Sequence, residues 1–159
     1  MEKINKEKTK DQIFMELALK EAKKAYTENE IPVGAVIVKD EKIVSKAYNK
    51  KEKTGNPTAH AEILAIEKAS KKLKTWRLIG TTMYITLEPC FMCMGAIMEA
   101  RIDKIVYAVK DHKRGAAGTV VDMSKLNKYH KIEIESGVCE EKSKKLIKSF
   151  FKDLRKKGK

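Results

Sequence analysis

The stretch Met83-Tyr84-Ile85-Thr86-Leu87-Glu88-Pro89-Cys90-Phe91-Met92-Cys93 decides how this chain folds. Its first five residues are apolar, aromatic or β-branched, the composition of a strand buried on both faces. Pro89 has no amide proton for a strand ladder, and from Cys90 to about Ala100 the pattern becomes helical. A buried strand passing straight into a helix is the unit from which layered α/β domains are built.

The flanking segments extend that unit in both directions. A first helix is predicted from Thr9 to Glu28, with Ile13, Phe14, Leu17, Ala18, Ala22, Ala25 and Tyr26 facing inward. Pro32 to Val38 reads as a buried strand, Asp40-Glu41 as a turn, and Lys42 to Tyr48 as the returning strand. Asn49 to Pro57 reads as a loop, after which Thr58 can cap a helix from Ala59 to Leu73. Beyond the central unit, Lys104 to Ala108 is a fourth strand and Lys110 to Gly118 a polar, exposed loop. Ile132 to Ile134 forms a short fifth strand. Glu140 to Lys156 is a final helix with Leu146, Ile147, Phe150, Phe151 and Leu154 on one stripe. An opening hairpin followed by alternating strands and helices implies a three-layer α/β/α sandwich around a mixed five-stranded sheet.

The chain shows no repeat, linker or composition break, so residues 1–159 are expected to form one domain, with residues 1–10 as a disordered, lysine-heavy arm. At 159 residues, a single domain would bury about 70% of the surface of its unfolded form. The three cysteines cannot all pair, and Cys90 and Cys93 lie too close together for a framework disulfide. Met1 to Lys8 lacks the apolar stretch of a secretory signal, and no run approaches the ~20 apolar residues needed to span a bilayer. A soluble, cytoplasmic protein without membrane attachment is expected.

The net charge is +13, and from Lys142 to Lys159 nine basic residues face the single Asp153. Such a helix suits a polyanion, because neutralising phosphates releases condensed counterions. Lysine supplies 31 of the 35 basic charges, however, so a bias toward lysine accounts for part of the excess. Charge supports a nucleic-acid partner without deciding it.

The chemistry lies in His60-Ala61-Glu62 and Pro89-Cys90-Phe91-Met92-Cys93, with 26 residues between Glu62 and Pro89. Together they offer three zinc ligands, His60, Cys90 and Cys93, and one carboxylate that is not needed as a ligand. Structural zinc is closed by four protein groups, whereas catalytic zinc keeps a position for water. Each segment also stands at a predicted helix start, where the partial positive charge favours thiolate over thiol. Glu62 fits the task of taking a proton from water beside the metal.

Two other readings of the same residues stay open. Cys90-x-x-Cys93 after a strand also describes a thioredoxin-like dithiol, although that leaves His60 and Glu62 without a role. A closed structural zinc would draw a fourth ligand from Cys139, His112 or His130, none of which stands at a recognisable ligand spacing.

H-x-E followed by P-C-x-x-C resembles the zinc-dependent nucleobase deaminases. Over nearly the whole length the chain is similar to the tRNA-specific adenosine deaminases among them. The matching stretches are Glu30 to Val36, Pro57 to Glu62, Trp76-Arg77-Leu78, Tyr84 to Cys90, Gly115-Ala116-Ala117-Gly118 and Phe150-Phe151. The resemblance implies a cytidine deaminase-like fold, one Zn²⁺ per chain held by His60, Cys90 and Cys93, and Glu62 as proton shuttle. The implied reaction is attack of a zinc-bound hydroxide on C6 of adenosine at the wobble position of a tRNA anticodon, giving inosine. It further implies base contacts from Asn49, Val33 and Ala61, RNA contacts from Asp111, Lys113, Arg114, Phe150 and Phe151, and a homodimer. Deamination of cytosine, guanine or a free nucleotide, or a zinc-stabilised RNA-binding module without catalysis, would use the same metal motif.

Overall fold

The computed structural model describes residues 7–158. Five strands form one sheet in the order β2-β1-β3-β4-β5. They are β1 (Gly34–Lys39), β2 (Lys42–Tyr48), β3 (Thr81–Leu87), β4 (Lys104–Val109) and β5 (Glu133–Ser136). β1 runs antiparallel to both of its neighbours, while β3, β4 and β5 run parallel. The start of β1 and the ends of β2, β3 and β4 therefore meet at one edge of the sheet. A ligand site in an open α/β sheet belongs at such an edge, where the strand order reverses direction.

Alternate residues of the central strands feed two cores, as the period of 2 requires. Ala35, Ile37, Met83, Ile85, Ile105 and Tyr107 face α3 (Ala61–Leu73) and α4 (Phe91–Glu99). Val36, Val38, Tyr84, Val106 and Ala108 face α1 (Lys10–Thr27), and Val138 and Cys139 at the start of α5 (Glu140–Lys156) pack on the same side. This is the expected three-layer sandwich with a mixed five-stranded sheet.

α1 is set by a capping box: the Thr9 hydroxyl accepts from the Gln12 amide, and the Gln12 side chain accepts from the Thr9 amide. The expected N-terminal arm is thus ordered from Thr9 onward, and its first six residues lie outside the described ones. The buried face is Met15, Ala18, Leu19, Glu21, Ala22 and Ala25, whereas Ile13 is 48% exposed. The expected inward face is otherwise kept, since Ala18, Ala22 and Ala25 are buried and Phe14 and Leu17 pack against the core; Met15 takes the place expected for Ile13. The small Ala18 and Ala22 let the helix lie directly on Gly34. A Cβ at Gly34 would stand 2.0 Å from the Ala18 carbonyl oxygen and 2.6 Å from the Ala22 nitrogen.

Other expectations need correction. The segment after β2 is not all loop, because Lys51–Thr54 forms a one-turn helix, α2. Its N-cap, Lys50, makes no side-chain cap bond. Buried Glu30 replaces it, accepting from the amides of Glu52 and Lys53 at 2.9 and 2.8 Å. Thr58 does not cap the next helix: its hydroxyl donates to Asn56 Oδ1 within a turn at Pro57-Thr58, and His60, in extended conformation, is the true N-cap of α3. The Lys110 to Gly118 loop is only partly exposed, with Gly115, Ala116 and Ala117 buried. Residues Met123–Leu126 add a short 3-10 turn that the sequence reading did not anticipate, and β5 begins one residue late and ends two residues later than expected.

Gly34→Ala should destabilise the fold by about 1–3 kcal/mol, the range for overpacking a close contact, as read from urea denaturation. Gly95→Ala in α4, where an added Cβ meets nothing within 4 Å, should raise stability by about 0.5–1 kcal/mol through helix propensity alone. Equal effects at the two glycines would contradict the packing account.

Candidate active site

Two helices begin at the same place. His60 is the N-cap of α3 and Cys90 the N-cap of α4, both in extended backbone conformation. An N-cap side chain ordinarily accepts a bond from the first helical turn. Neither of these does so, which leaves both side chains available to a ligand. Cys93 follows within the first turn of α4 and Glu62 within that of α3. The positive ends of both helix dipoles point at the cluster.

His60 Nδ1 lies 3.7 Å from Cys90 Sγ and 3.5 Å from Cys93 Sγ. All three donor atoms lie within 4.8 Å of one another. Zinc bonds of about 2.3 Å to sulfur and about 2.05 Å to nitrogen at a tetrahedral angle would set sulfur and nitrogen about 3.6 Å apart. The observed distances match that edge. Two soft sulfurs and an imidazole are also a donor set that suits zinc. His112, His130 and Cys139 are not part of the cluster, so the closed four-ligand alternative has no fourth member among the described residues. The dithiol alternative also loses ground, because His60 stands against both sulfurs.

The protons of the cluster are arranged for a cation. The Cys93 thiol donates to Cys90, which holds Cys90 down to about 3 as a thiolate and pushes Cys93 up. The Cys90 thiolate in turn raises the basicity of His60. A divalent ion would displace the remaining thiol proton, and the two thiolates would cancel its charge.

Glu62 is only 4% exposed. Burial pushes its carboxyl up to about 7, with the neighbouring Cys90 thiolate acting in the same direction and its own backbone amide opposing. A carboxyl in that range can both take and return a proton near neutral pH.

The cluster opens into a cavity of about 590 Å³ at the sheet edge described above. Its wall includes Val33 before β1, Asn49 after β2, His60, Ala61 and Glu62 at the start of α3, and Cys90. Asp111, Lys113 and Arg114 line the side formed by the loop after β4, and Phe151 the side formed by α5. Phe150 does not line this cavity. It is 6% exposed and packs edge-on against Tyr26, while Phe151 is 38% exposed.

Several of these side chains already have protein partners. Asn49 donates from Nδ2 to the Ile31 carbonyl at 3.2 Å and accepts from the Lys51 amide at 3.1 Å. Asp111 accepts from the Lys113 and Arg114 amides at 3.0 and 3.1 Å through Oδ1, so it also starts a turn. Among the wall residues that the sequence reading did not assign to the site are Lys51, Glu88, Lys144, Ile147 and Lys148. Lys144, Ile147, Lys148 and Phe151 stand at i, i+3, i+4 and i+7, so helical spacing from Phe151 alone would have found three of them.

Comparisons with known proteins agree with this geometry. A family profile for the cytidine and deoxycytidylate deaminase zinc-binding region matches residues 8–109. The tRNA-specific adenosine deaminase of Bacillus subtilis (strain 168) is 44% identical over 152 residues, covering 95% of this chain and 94% of that protein. The enzyme of the same description from Aquifex aeolicus (strain VF5) is 45% identical over 145 residues, 89% of this chain and 94% of its own length. A solved structure from work on A-to-I editing by tRNA:A34 deaminases superposes with a TM-score of 0.80 at 40% identity. It covers 84% of this chain and 98% of that one. The family's metal is zinc, and His60, Cys90 and Cys93 give the chain one site for it. The chain belongs to the cytidine and deoxycytidylate deaminase zinc-binding family, and within it to the tRNA-specific adenosine deaminases.

Proposed function

We propose that this protein converts adenosine to inosine at the wobble position of a tRNA anticodon. One observation carries the chemistry: a three-ligand zinc set opens toward a cavity in which a buried carboxylate, Glu62, is left over from coordination. The substrate is supported by tRNA-specific relatives that match nearly the whole chain.

Zinc held by His60, Cys90 and Cys93 would supply Lewis-acid activation of a water molecule. Glu62 carries the first proton of that water to N1 of the adenine as C6 is attacked. The second proton passes through Glu62 to the C6 amine, which leaves as ammonia while C6 keeps the oxygen. Val33, Asn49 and the Ala61 backbone hold the flipped base over Glu62. Phe151 offers an aromatic face for a neighbouring unstacked base, and Lys113, Arg114, Lys144 and Lys148 neutralise the backbone that leads to the cavity. Phe150 serves the same surface only indirectly, by packing beneath Phe151 with ring centroids 5.4 Å apart.

We further infer a homodimer in the cytoplasm. Among the described residues no helix is long and apolar enough to cross a membrane. Phe91 at the start of α4 and Val120, Val121 and Leu126 after β4 expose apolar surface that a second copy would cover. Sedimentation of the purified protein should give twice the chain mass, and a monomer at micromolar concentration would refute that state.

Glu62→Ala should keep one zinc per chain and unchanged RNA affinity while inosine formation falls by at least about 10²-fold. Deamination at the wild-type rate in that variant would overturn the proton-transfer role. Affinity for an anticodon stem-loop should fall with salt at a log–log slope of about −0.7 to −0.9 per phosphate contacted. Lys148→Gln should flatten that slope by about one contact's share. A slope unchanged by Lys148→Gln would remove that lysine from the RNA path.

A further inference from the structure

Glu88 is buried directly after β3 and before Pro89-Cys90, and it is not one of the metal-site residues His60, Cys90 and Cys93. Its two oxygens instead take four donors from one loop. Oε1 accepts from the Asp111 amide at 3.1 Å and from the Thr119 hydroxyl. Oε2 accepts from the amides of Ala117 at 3.0 Å and Thr119 at 3.2 Å. Four donors fill the acceptor capacity of a carboxylate. Gly115 makes room for it: an added Cβ would stand 2.5 Å from Glu88 Cδ and 2.5 Å from the Asp111 carbonyl oxygen. The same loop is tied to the metal turn a second time, by the Ala116 amide donating to the Pro89 carbonyl at 2.9 Å.

We propose that Glu88 is a positioning residue that clamps the Asp111–Thr119 loop, and through it the RNA-facing side chains, to the turn carrying the metal ligand Cys90. The clamp acts as a relay. Glu88 holds the Asp111 amide, and Asp111 Oδ1 holds the amides of Lys113 and Arg114. The two cations thereby keep a fixed distance from the reacting position. This inference rests on the RNA deaminase reading above, because it assigns the loop to substrate.

The chemistry of Glu88→Gln makes the test specific. The amide nitrogen of Gln is a donor, and it must face donors on either side. On the Oε1 side the Thr119 hydroxyl can rotate and accept, so the nitrogen settles there and the Asp111 amide alone loses its partner. The released group is then the head of the relay. Glu88→Asp keeps the carboxylate but withdraws it by one methylene and should lie between wild type and Gln.

Amide hydrogen exchange on the zinc-loaded protein should be at least about tenfold faster at residues 111–114 in Glu88→Gln, with zinc still at one per chain. KM for an anticodon stem-loop should rise about tenfold while kcat changes by less than about threefold, because binding geometry and not proton transfer is altered. Combination with Asp111→Ala should cost less than the product of the single effects, since both act on one relay. Unchanged exchange at 111–114 would overturn the clamp. So would a loss of zinc or of kcat with KM unmoved, which would assign Glu88 to the metal turn instead. Thr119→Val, which deletes only the hydroxyl donor, carries the test if Glu88→Gln does not accumulate: faster loop exchange supports the clamp, and unchanged exchange overturns it. Failure of the wild-type protein to deaminate the stem-loop would refute the substrate reading, and the exchange experiment would still decide the clamp.

Discussion

The structure depends on two helices that must begin within a few ångströms of one another without the usual caps. His60 and Cys90 both forgo the N-cap bond, a contribution of about 1 kcal/mol in an ordinary helix. Packing has to supply what the caps do not. Ala61, Ala65 and Ala69 are fully buried and let α3 lie close to the sheet, while Met94 and Ile97 fill the space under α4. The strand directions then bring the remaining walls to the same edge, since β1 starts where β2, β3 and β4 end. A metal centre made from separate segments needs that convergence before it needs any particular ligand.

Elements with a strong periodic signal could be read from the sequence, and so could the metal cluster. β2 and α5 fall at the expected residues, and β3 passing into α4 follows the Met83–Cys93 stretch. What escaped was set by distant partners. The short polar helix at Lys51–Thr54 has no apolar stripe, and its cap comes from Glu30, outside its own segment. The inner face of α1 was legible except that Met15 and not Ile13 is buried, a choice apolar periodicity cannot make because both residues are apolar. Thr58 has the right chemistry for a cap, but it sits in a turn with Pro57 and the helix starts only at His60. Glu88 received no role from the sequence, and only the folded loop shows four donors converging on it.

Charge is graded from rim to floor. Lys51, Lys113, Arg114, Lys144 and Lys148 surround the opening, whereas Glu62 and Glu88 lie inside it. Lysine is a hydrated point charge with little directional demand. In the proposed function, a rim built mainly from it would attract phosphates without reading sequence, and discrimination would fall to the interior. This fits the lysine bias of the whole composition: generic attraction tolerates a compositional drift that a bidentate contact would not.

The tethering of Asn49 has a consequence for that discrimination. With Nδ2 bonded to the Ile31 carbonyl and Oδ1 to the Lys51 amide, turning the amide over would set oxygen against oxygen and nitrogen against a donor. Its polarity is thereby locked by the backbone rather than by the ligand. In the role proposed for Asn49, a nucleobase entering the cavity would meet a side chain of fixed polarity, and a base with the opposite pattern could not turn it over. Selectivity of that kind would be built in before binding and would carry no reorganisation cost when the right base arrives.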